Sequence, residues 1–84
     1  VKKGKPNPEM FLKIMKKINV LPKECLIFED SIEGIEAGLK SGSKVVGVTT
    51  THSKDKLISL GCSLTIDNYD DDNLLIKIID KLFK

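Results

Sequence analysis

Three short strand candidates, the apolar runs Cys25-Leu26-Ile27-Phe28 and Val45-Val46-Gly47-Val48 and the segment Ser63-Leu64-Thr65-Ile66, alternate with stretches whose apolar residues recur at helical spacing. This alternation constrains the fold more than any other feature of the chain. Met10, Phe11, Ile14, Met15 and Ile18 fall at i, i+1, i+4, i+5 and i+8 with lysines between them, the pattern of a one-sided helix, and Pro8 suits its first turn. Ile32, Ile35 and Leu39 define a second helix to about Ser41, with Asp30 or Ser31 as N-cap and Gly42 just past its end. A third runs from Ser53 to Leu60 and stops at Gly61. Leu74, Leu75, Ile78, Ile79 and Leu82 mark a fourth, with Asp70-Asp71-Asp72 at its start.

Strands that alternate with helices imply right-handed crossovers and a parallel sheet covered on both faces. The expected architecture is therefore a Rossmann-like α/β layer of three strands and about four helices. Residues 1–84 read as a single partial domain, because three strands are few for a parallel sheet and 84 residues bury only about 60–65% of the surface of the unfolded chain. An uncovered edge strand invites pairing. The expected remedy is cover from a missing N-terminal part of the parent protein or from another chain.

Several function classes are excluded by composition. No apolar run approaches the roughly 20 residues of a membrane span, and no secretion signal is visible. Two cysteines, Cys25 and Cys62, form neither a disulfide framework nor a CxxC pair, which points to a reduced, cytoplasmic setting and to small core residues. A formal charge of +2 and four scattered aromatic residues offer no footprint for nucleic acid. Gly38 to Lys44 lacks the spacing of a phosphate-binding loop, and Asp67 to Ile78 lacks the glycine and final glutamate of a calcium loop. Gly34, Gly38 and Gly42 read as close packing on the sheet, and His52 as a loop residue.

In open parallel sheets ligands bind beyond the carboxyl ends of the strands. Glu29 and Asp30 stand there, directly after the first apolar run, and paired carboxylates suit Mg²⁺, which takes one or two of them together with waters and phosphate oxygens. The alternative use of Asp30 is as the cap of the next helix. Lys5 lies in the Pro-punctuated stretch Gly4-Lys5-Pro6-Asn7-Pro8-Glu9, where a fixed ammonium could neutralise a phosphate or a carboxylate.

Read together, Gly4-Lys5-Pro6-Asn7-Pro8-Glu9 and, about twenty residues later, Phe28-Glu29-Asp30-Ser31-Ile32-Glu33-Gly34-Ile35-Glu36-Ala37-Gly38 resemble the third and fourth motifs of the haloacid dehalogenase superfamily. The branch they resemble is the one of phosphoglucomutases and phosphoglycolate phosphatases, and the likeness covers nearly the whole chain. It implies that Lys5 binds the transferring phosphoryl group and the nucleophile's carboxylate, that Asp30 ligates Mg²⁺, that Glu29 does so directly or through water, and that Ser31 holds the turn. It also implies a phosphatase or phosphomutase acting on a small phosphorylated metabolite. The family's aspartyl nucleophile motif and its Ser/Thr motif, both upstream of the lysine, have no counterpart here, so the resemblance is to the carboxyl-terminal part of a core domain, inactive alone. The competing expectation is a non-catalytic α/β binding or interaction module. A receiver-like domain would need its lysine after the acidic pair, the reverse of the order present.

Overall fold

A computed structural model describes residues 7–68, 70 and 72–83. Its elements follow the alternation: α1 (Glu9–Ile18), β1 (Leu26–Glu29), α2 (Ile32–Lys40), β2 (Lys44–Val48), α3 (Lys54–Leu60), β3 (Leu64–Ile66) and α4 (Asp72–Phe83), with a 3-10 turn at Pro22–Glu24. The strands form one parallel sheet in the order β1-β2-β3. Glu29 pairs with Gly47 and Val48 with Ile66, so all three strands present their carboxyl ends at one edge.

Alternation along β2 divides the core into two layers, since successive strand residues point to opposite faces. Val45 joins Ile35, Leu57 and Cys62 on the face covered by α2 and α3, with Ile27, Leu39 and Leu60 packed against them. Val46 and Val48 join Ile66 and Ile78 on the other face, where α4 contributes Leu75 and Leu82 beside Leu26, Phe28 and Leu64. Gly47 belongs to the first layer. A Cβ there would lie 2.8 Å from Leu57 Cδ1 and 3.0 Å from Cys62 Sγ, so the bare backbone is what admits α3 to the sheet. Gly38 does the same for α2, where a Cβ would lie 2.9 Å from Val45 Cγ2.

Two expectations shift. The first strand begins and ends one residue later than the apolar run, because Glu29 continues the pairing onto Gly47 despite its charge. On α1 the apolar stripe is largely uncovered: Met15 is buried, but Met10 and Ile18 are 72% and 63% exposed. The helix packs mainly on α2, and Met15 is the one residue of α1 that is buried. Among the described residues no helix is long and apolar enough to cross a membrane.

Candidate functional site at the carboxyl edge of the sheet

The turn between β1 and α2 is organised by a division of labour among three consecutive side chains. Ser31, with extended backbone (φ −94°, ψ 150°), is the N-cap of α2, and its Oγ accepts a hydrogen bond from Gly34 N–H at 2.9 Å. That satisfies one of the orphan donors of the first turn. The same hydroxyl donates to Glu29 Oε1 at 3.2 Å. Asp30 N–H and Ser31 N–H also donate to Glu29 Oε1, at 3.2 and 3.3 Å. The Glu29 side chain thus folds back over its own turn and lies on Gly34, where a Cβ would overlap its Cγ and Cδ.

With Ser31 as cap and Glu29 as brace, Asp30 is spared both tasks. It is half-buried, and its Oδ2 accepts a hydrogen bond from Thr50 Oγ1 at 3.0 Å, across from the loop after β2. Its Oδ1 takes no hydrogen bond from the described residues. Thr49, next to Thr50, is tied to β3: its N–H donates to Ile66 O at 2.8 Å and its Oγ1 to Asp67 Oδ1 at 2.9 Å.

The structure therefore brings Glu29, Asp30 and Ser31 together at one edge. Lys5, the fourth residue singled out in the sequence, lies outside the described residues. Among the described residues no three His, Cys, Asp or Glu side chains cluster as a complete metal shell. Two hard oxygen donors from one turn still fit Mg²⁺, which ordinarily fills its octahedron with waters and phosphate oxygens. Nothing in the sequence pattern singles out Thr50. Its only signal there is position, in the polar segment Thr49-Thr50-Thr51-His52 that follows a strand.

Comparison with known proteins gives the family and the fold. Residues 1–48 match the family model of the haloacid dehalogenase-like hydrolases. A bifunctional riboflavin kinase/FMN phosphatase of Arabidopsis thaliana is 46% identical over 48 residues, covering 57% of this chain and 13% of that protein. A phosphorylated carbohydrates phosphatase of Thermotoga maritima is 37% identical over 59 residues, covering 69% of this chain and 27% of its own length. Among solved structures, a beta-phosphoglucomutase-like protein of Bacteroides vulgatus superposes with a TM-score of 0.79 at 30% identity, covering 96% of this chain and 34% of that one. The chain thus spans about a third or less of the proteins it matches.

Proposed function

The chain belongs to the haloacid dehalogenase-like hydrolases, in their phosphoglucomutase-like branch, and on that premise we propose that it is the carboxyl-terminal part of a Mg²⁺-dependent phosphatase or phosphomutase acting on a small phosphorylated metabolite. One observation carries the reading. Asp30 stands at the carboxyl end of a parallel strand with one oxygen that accepts from none of the described residues, because Ser31 rather than Asp30 caps the helix. Relatives that act on phosphorylated carbohydrates and on FMN support the substrate class.

Phosphoryl transfer asks of a protein mainly positioning and charge neutralisation. In this reading Asp30 would hold Mg²⁺ through Oδ1, and Glu29, whose Oε1 already accepts three hydrogen bonds, would reach it through Oε2 or a water. The cation when bound supplies neutralisation of charge on the phosphoryl oxygens. Lys5 would hold the phosphate from the segment before α1, as a compact point charge. Ser31 caps α2 in place of Asp30 and so leaves the Asp30 carboxylate to the edge of the sheet. No Asp-x-Asp run directly follows a strand in this sequence, so the nucleophile and the general acid/base would come from another part of the parent. That part, or another chain, would also cover the open side of β1, which among the described residues pairs with β2 alone. A cytoplasmic setting fits the two free thiols.

Hydrolysis of p-nitrophenyl phosphate tests the reading. The 84-residue chain alone is expected to show no turnover, and the parent protein a Mg²⁺-dependent rate that falls at least about a hundredfold in Asp30→Asn and Lys5→Met, as loss of electrostatic stabilisers does. A parent protein whose rate ignores both substitutions would leave the chain as a non-catalytic module.

A further inference from the structure

The hydrogen bond from Thr50 to Asp30 joins two loops twenty residues apart in sequence at an exposed position. Such a bond adds little to the stability of a fold, because water competes for both partners. Its consequence is local. It favours one torsion of the Asp30 side chain, occupies Oδ2 with a neutral donor, and leaves for a cation the Oδ1 that accepts from none of the described residues. A lysine or arginine in the same place would cancel that charge and compete with the metal. Threonine also brings a stiff χ1, since two heavy atoms branch at Cβ.

Thr50 is itself anchored. The backbone and hydroxyl of Thr49 are bound to Ile66 O and Asp67 Oδ1 at the end of β3. The Glu29 brace holds the other side of Asp30. The ends of all three strands are thereby linked, in the order β3, Thr49, Thr50, Asp30. We propose that Thr50 is a positioning residue of the cation site, which orients Asp30 to bind a divalent ion through a single oxygen. This rests on the assignment of Asp30 as a metal ligand made above. Groups that orient a metal ligand typically govern a 10–100-fold range of affinity.

The test uses Mn²⁺ alone as a paramagnetic probe of the 84-residue chain, following broadening of the Asp30 and Ser31 amide signals, with the thermal midpoint recorded in parallel. Thr50→Val is expected to weaken Mn²⁺ binding about tenfold while shifting the midpoint by no more than about 3 °C. Thr50→Ser, which restores the hydroxyl, should remain within about threefold of the unsubstituted chain on the same reasoning, and Asp30→Asn should abolish the broadening. If Thr50→Val binds as tightly as the unsubstituted chain while Asp30→Asn does not bind, the positioning role is refuted and the cation site stands. Equal losses in Thr50→Val and Thr50→Ser would also refute it, because the hydroxyl would then not be the agent. Unchanged binding in Asp30→Asn would overturn the cation site and this inference with it.

Discussion

Replacing Gly34 by alanine should have an effect whose sign depends on Glu29. Gly34 sits in the first turn of α2, and a Cβ there would overlap Glu29 Cγ and Cδ and lie 2.6 Å from Oε2. On helix propensity alone the substitution would stabilise by about 0.5–1 kcal/mol, since glycine loses more backbone freedom than alanine. The glutamate side chain must move aside, however, and that breaks the three bonds to Oε1. At 3.2–3.3 Å these bonds are long, so their joint contribution is put at about 1–2 kcal/mol. Gly34→Ala is therefore expected to lose about 0.5–1 kcal/mol in the natural background and to gain a similar amount in Glu29→Ala, a coupling of about 1–2 kcal/mol. Thermal unfolding of the four proteins, followed by circular dichroism, reads this as midpoint shifts of about 4–8 °C per kcal/mol. Equal stabilisation in both backgrounds would show that Glu29 does not lie over Gly34, and the brace on the Asp30 turn would go with it.

Loss of the N-cap in Ser31→Ala should cost about 1 kcal/mol in urea unfolding, with Ser31→Asp retaining most of the stability; no difference between the two would contradict the capping role. Leu57→Ala, at a fully buried position, should cost about 2–5 kcal/mol, measured by the same unfolding curves. Burial pushes the Cys62 thiol above its ordinary 9.0, so the folded state holds its proton more tightly than the unfolded chain. The corresponding stability is complete below pH 9.0 and is lost as pH rises through the folded value, a decline that Cys62→Ala should lack in urea midpoints taken across that range. The buried thiol should also react with a disulfide reagent more slowly than half-buried Cys25; equal rates would show that α3 opens readily.

Much of the fold is legible because the two periodicities differ. Val45, Val46 and Val48 read as a strand, and Leu74, Leu75, Ile78 and Leu82 as a helix, whatever their neighbours do. Choices between equivalent residues are not legible in the same way. Asp30 and Ser31 are both good N-caps, and only the path of the chain, which makes Ser31 the last extended residue, frees the aspartate. Thr50 is hidden for a related reason: its partnership with Asp30 depends on the register of two parallel strands, and a crossover helix carries no mark of register. The exposed stripe of α1 shows the converse, since amphipathic spacing records a tendency to be covered without naming what covers it.

In the proposed function, Lys5 and the Glu29-Asp30 pair converge on one cation-and-phosphate site. The most direct measurement is the separation between Lys5 Nζ and the nearer of the two carboxylates, in an experimental structure of the protein with Mg²⁺ and orthophosphate. The expected separation is about 4–8 Å, a range over which opposite charges interact directly or across a shared phosphate. Lys5 at the opposite end of the sheet from Asp30 would contradict it, since no side-chain rearrangement could then join the two in one site.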